Sequence, residues 1–272
     1  RADGSTHPTS PAPAIIDAGR IYVFKGGSLP ASIDLHTSPS APLFQIWGES
    51  ASDRLGFEAT VGDVNGDEYG DIICAAIAGN PLGTRPGAGQ VYVIHGGPGL
   101  SGTRNLYTDA ANVATRIMGG EIGDTAGQAV ASGDVNLDGV DDVIIGAHQA
   151  DPLDRDSAGI LYVLYGGTAA GGDLLPAVVD LANDAEVDVM VYGKAAGDGL
   201  GFQARVFNFN GDGFDDLLIG VPLAAGTDGD GVGYAAVITG DPQLPALIDL
   251  ATDTPDHLIL GDDAGDNAGQ TV

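Results

Sequence analysis

Basic residues are scarce in this chain. Ten lysines and arginines stand against 38 aspartates and glutamates, a formal charge of −28. Only Lys25 and Lys194 are lysines. Ten scattered cations build no basic patch, so nucleic acid and anionic membrane are not expected partners. Cysteine is nearly absent too. Cys74 stands alone, which forbids an internal disulfide, and its place in the apolar run DIICAAIA predicts a buried, inert thiol. No apolar run approaches the roughly eighteen residues of a membrane span, so no membrane insertion is expected. The opening RADGSTHPTSPAPA has no apolar signal core. Residues 1–16 read as a polar, proline-rich segment, and the chain reads as a mature protein or a fragment. A sustained 3.6-residue period is missing as well, so helices should be few.

Glycine is abundant, with 44 residues among 272, and 43% of the chain is hydrophobic. Glycine without a G-X-Y period argues for many tight turns round a real core. The chain also repeats itself. DRLGFEATVGDVNGDEYGDIICAAIAG begins at Asp53, DTAGQAVASGDVNLDGVDDVIIGAHQ at Asp124, DGLGFQARVFNFNGDGFDDLLIGVPL at Asp198 and DNAGQTV at Asp266. A second element recurs as GRIYVFKGG from Gly19, GQVYVIHGG from Gly89, GILYVLYGG from Gly159 and GYAAVITGD from Gly233. A third ends at Gly48, Gly119, Gly193 and Gly261. A short IDL-like run lies between second and third at Ile33–Leu35, Val179–Leu181 and Ile248–Leu250.

Each unit offers four short stretches rich in valine, isoleucine and tyrosine, as strands require. The expected fold is all-β: a propeller of four-stranded antiparallel blades. The expected boundaries are a partial blade at 17–48, blades at about 49–119, 120–193 and 194–261, and a partial blade at 262–272. A blade buries its faces on its neighbours. The propeller should therefore be larger than this chain, or be completed by another chain or by self-association.

Three acidic loops fall in register within the repeat. The first offers side-chain oxygens at Asp63, Asn65, Asp67 and Asp71, with the Tyr69 carbonyl. The second offers Asp134, Asn136, Asp138, Asp142 and the Val140 carbonyl. The third offers Asn208, Asn210, Asp212, Asp216 and the Phe214 carbonyl. Hard oxygens at alternate positions suit Ca2+, with about three sites expected. No Cys/His cluster favours zinc or copper.

The repeat resembles the FG-GAP repeats of the integrin α-subunit β-propeller. Leu55-Gly56-Phe57 and Leu200-Gly201-Phe202 match its "FG" end, and Gly220-Val221-Pro222 approximates its "GAP" end. All three loops keep the spacing of the family's D-x-D-x-D-G-x-x-D pattern. The resemblance implies that each loop joins the first two strands of a blade and that the whole propeller has about seven blades. It also implies an extracellular setting and ligands bound elsewhere. Two departures stand out: Glu68 replaces the turn glycine of the first loop, and Asn208 the leading aspartate of the third.

No catalytic set is legible. His95 reads as exposed, no histidine pair has metal spacing, and G-x-S-x-G is absent. The Trp47, Met118, Tyr192 and Leu260 column reads as core. Asp53, Asp124, Asp198 and Asp266 read as turn-fixing acids. The expectation is a non-enzymatic, secreted or cell-surface module. Its calcium would stabilise the blades, and it would serve adhesion, protein interaction or assembly, with a protein or glycan ligand. The alternatives are a lectin-like propeller and the propeller domain of a larger secreted enzyme.

Overall fold

The computed structural model describes residues 17–27, 32–35, 43–109, 113–172, 174–226 and 231–272. The proline-rich segment 1–16 and His36 lie outside them. Among the described residues seventeen strands form four sheets, and helix is confined to single turns.

The first sheet takes β1 (Arg20–Val23) and β2 (Phe44–Trp47), paired antiparallel. The second begins with β3 (Leu55–Gly62), β4 (Asp71–Ala76) and β5 (Gln90–Ile94). The chain then returns to the first sheet with β6 (Gly102–Asn105), laid parallel on β2, before β7 (Thr115–Met118) joins β5 in the second. The third sheet runs β8 (Ala129–Gly133), β9 (Asp142–Ala147) and β10 (Ile160–Leu164). Next, β11 (Val178–Asp180) goes back to lie parallel on β7, and β12 (Val189–Tyr192) closes against β10. The fourth sheet takes β13 (Gln203–Phe207), β14 (Asp216–Val221) and β15 (Tyr234–Ile238). From there β16 (Leu247–Asp249) lies parallel on β12, and β17 (His257–Leu260) closes on β15.

The blades are thus four-stranded and antiparallel at heart, as expected, but two have a fifth strand. The IDL-like run supplies it. At Gly102–Asn105, Val178–Asp180 and Leu247–Asp249 the chain leaves its own blade and adds to the outer edge of the preceding one. Asn105, Asp180 and Asp249 occupy the same register, opposite Trp47, Met118 and Tyr192. The following leucines, Leu106, Leu181 and Leu250, are all buried.

Alternation along each middle strand divides its side chains between two neighbours. On β4, Ile72, Cys74 and Ala76 pack with Phe44, Ile46 and Tyr92 between the first and second sheets. Ile73 and Ala75 pack with Val130, Val143 and Ile145 between the second and third. The next layer joins Ile144, Leu161 and Val163 to Ala204, Leu217 and Ile219. A strand buried on both faces loses stability when either face is trimmed, about 2–5 kcal/mol for Ile or Leu to Ala. Cys74 is fully buried and its thiol is pushed up to about 12 by desolvation, which leaves it inert at neutral pH.

The Trp47 column changes character along the chain. Met118 is buried, Trp47 and Tyr192 are half-buried, and Leu260 is 70% exposed on β17. The first three stand on strands that receive a fifth-strand neighbour. β17 receives none among the described residues.

Candidate functional site

The three acidic loops connect β3 to β4, β8 to β9 and β13 to β14, the first two strands of each complete blade. Each is built on its last aspartate. Asp71, Asp142 and Asp216 open the second strand and are buried to within 1%. One oxygen of each holds the loop: Asp71 accepts the Val64 N–H, Asp142 the Val135 N–H and Asp216 the Phe209 N–H. The other oxygen accepts an N–H from the end of the third strand, at Gly96, Gly166 and Gly240, at 2.7, 2.9 and 2.9 Å. This explains the glycine that follows the third strand in the last three GRIYVFKGG-type elements. A Cβ there would lie 2.2–2.4 Å from a backbone oxygen of the loop: Gly70 O, Asp141 O or Asp215 O.

The remaining side chains turn onto loop amides. Asp134 accepts the Asp138 and Gly139 N–H groups, Asn136 accepts that of Asp138, and Asp138 that of Val140. The first loop repeats this with Asp63 on Asp67 and Glu68, Asn65 on Asp67, and Asp67 on Tyr69. In the third loop Asn208 accepts from Gly211, and Asn210 and Asp212 accept from Asp212 and Phe214.

Charge accumulates in these loops, and the three salt bridges of the described residues do not involve them. Burial pushes the Asp142 carboxyl up to about 7, against the pull of its two amide bonds, and Asp138 and Asp134 push the same way. Asp71 is raised, also chiefly by burial. Among the described residues, no three His, Cys, Asp or Glu side chains are gathered on one point as a ready metal cage. The donor chemistry nevertheless fits a hard divalent cation. Each loop brings carboxylate, amide and carbonyl oxygens, with lone pairs left over after the amide bonds. The residues that would hold such an ion are those named from the sequence in each loop, and the ion would offset the buried carboxylate charge.

The acid column outside the loops has a separate task. Asp53, Asp124 and Asp198 are buried, and each accepts an N–H three residues back, from Ser50, Glu121 and Ala195. They fix turns between blades. His95 and His257 are exposed. His148 is half-buried, 3.0 Å from the Thr125 hydroxyl and edge-on to Phe202.

Sequence reasoning missed two groups. Leu137 holds a left-handed backbone at φ 58° where the other loops have Gly66 and Gly211. Paired charges also clasp the fifth strands. Arg85 grips Asp180 with two bonds, at 2.6 and 2.8 Å, and Arg155 grips Asp249 at 2.8 Å. The repeat spacing of Arg85 and Arg155, in PLGTR and PLDR, was the available signal.

Comparison with known proteins agrees with the repeat. Residues 126–164, spanning β8, the second loop, β9 and β10, match the FG-GAP repeat. A phosphatidylinositol-glycan-specific phospholipase D of Homo sapiens is 29% identical over 228 residues, 82% of this chain and 25% of that protein. The protein of the same name from Bos taurus is 30% identical over 211 residues, 73% of this chain and 23% of its own length. That from Dictyostelium discoideum is 27% identical over 187 residues, 66% and 19% respectively. The chain spans about a quarter of the length of the curated relatives it matches. These relatives overturn the expectation of a non-enzymatic protein, because each is named as an enzyme. That expectation searched for a catalytic set only within the repeats, a minor part of such proteins. The match to the FG-GAP repeat falls on residues 126–164, and the same sequence pattern recurs in the repeats on either side of it.

Proposed function

We propose that this chain is the propeller region of a larger secreted enzyme of the phosphatidylinositol-glycan-cleaving phospholipase D type. Its three acidic loops hold Ca2+ as structural ions. The observation that carries the reading is the similarity to that one class of enzyme over most of this chain. The proposal favours an enzyme's propeller over an adhesion module. No described helix is long and apolar enough to cross a membrane, a finding that leaves β-barrels aside. Within the enzyme, the stacked blades supply a rigid body whose loops are pinned by calcium at the start of each second strand. The test is hydrolysis of a phosphatidylinositol-glycan by the polypeptide that contains this chain. Phosphatidic acid should appear as the lipid product. Intact substrate after incubation with folded, calcium-loaded protein would refute the enzymatic reading.

A further inference from the structure

One pair of acids lies in the acidic loops without belonging to the cation-ligand set. Asp141 stands just before Asp142. Its Oδ2 accepts the Asp63 N–H at 2.8 Å, and its own N–H donates to the Asp63 carbonyl at 2.9 Å. Asp215, just before Asp216, treats Asp134 the same way, at 3.1 and 3.0 Å. Asp63 and Asp134 are the leading acids of the first and second loops. Each is therefore gripped, on both backbone groups, by the loop of the next blade. A further bond runs from the Gly167 N–H to the Val64 carbonyl.

The sequence makes room for this grip. A Cβ at Gly62 would lie 2.1 Å from Ser132 Oγ and 2.9 Å from Asp141 Oδ2. One at Gly133 would lie 2.5 Å from Val206 Cγ1 and 2.7 Å from Asp215 Oδ2. The series has two ends. Gly70 stands in the first loop where Asp141 and Asp215 stand in the others, and it has no carboxylate to offer. Phe207 stands where Gly62 and Gly133 stand.

We propose that Asp141 and Asp215 are positioning residues that couple the three loops, so that a cation in one loop tightens the loop of the blade before it. The proposal rests on the reading of the loops as calcium sites. Asp141 lies between Val140 and Asp142, both of which would supply ligands in the second loop. Filling that loop fixes the backbone at 140–142, and with it the grip on Asp63. The first loop then orders at lower entropic cost, which is positive cooperativity without a change of fold.

Terbium, a hard cation that takes calcium sites, reports on the first loop through emission sensitised by Tyr69. A Tyr69→Phe variant defines that loop's share of the signal. Asp138→Ala removes a ligand from the second loop. It should weaken terbium binding at the first loop about tenfold, within the usual range of coupling between sites. In an Asp141→Ala background, the same substitution should leave the first loop unmoved. Asp141→Asn should restore the coupling, because its amide oxygen still accepts the Asp63 N–H, a rescue that simple loss of packing would not show. Unchanged first-loop affinity in D138A would overturn the coupling while leaving the calcium reading intact. This comparison needs only D138A against wild type, so it stands if D141A fails to fold. No Tyr69-dependent signal in the wild type would overturn both.

Discussion

Glu68 and Leu137 both sit in the left-handed region, at φ 68° and 58°, where other copies of the loop have glycine. A side chain costs about 1–2 kcal/mol there, and the greater unfolded-state freedom of glycine offsets part of it. E68G and L137G should each stabilise the protein by about 0.5–1 kcal/mol in denaturant unfolding, and a loss of stability would contradict the strain. Glu68 was legible because it breaks the glycine of a known pattern. Leu137 was not, because that pattern leaves its fourth place free. His148 carries a second residue-scale expectation. Burial holds its imidazole below the ordinary value of 6.5. The unfolded chain takes up a proton near 6.5 and the folded chain only at lower pH. The stability this site contributes is therefore present above about 6.5 and falls away as pH drops through the folded value. The stability difference between wild type and H148Q should shrink from pH 7.5 to 5.5, and a constant difference would contradict this.

The last aspartate of each loop organises an element. Asp142 satisfies two buried amides, Val135 in the loop and Gly166 beyond the third strand. D142A strands both, at about 1–3 kcal/mol each, and should lower the unfolding free energy by roughly 2–5 kcal/mol even in chelator. A change below about 0.5 kcal/mol in chelator would show that these bonds are dispensable. The fifth strand is the element that the sequence hid. Val178–Asp180 is too short for periodicity to declare, and its partner β7 lies some sixty residues earlier in the preceding repeat. The copy at Asn105-Leu106 was disguised by its asparagine. Arg85 clasps Asp180 bidentately and also donates to the Gly119 carbonyl at 3.0 Å. R85A should cost about 1–2 kcal/mol and R85K recover only part of it, since an ammonium cannot form the same fork. The third repeat has no arginine between Pro222 and Tyr234.

At the scale of the molecule, three apolar layers stack four sheets in chain order, and the acidic loops recur along the stack. This much was legible, because repetition at about seventy residues fixes the four antiparallel strands of a blade, the loop position and the acid register together. The similarity to phosphatidylinositol-glycan-specific phospholipases D was not legible. Apolar alternation and turn chemistry in these repeats describe how blades pack on blades, and the match covers only about a quarter of the relatives. The whole molecule also offers the most direct measurement. A cation that binds the folded loops and not the unfolded chain adds about 2.7 kcal/mol per site at a hundredfold excess over its dissociation constant. Thermal unfolding in chelator, followed by back-titration with Ca2+, should raise the melting temperature by several degrees, with a smaller rise in D138A. The same melting temperature with and without Ca2+ would contradict the assignment of these loops as calcium sites.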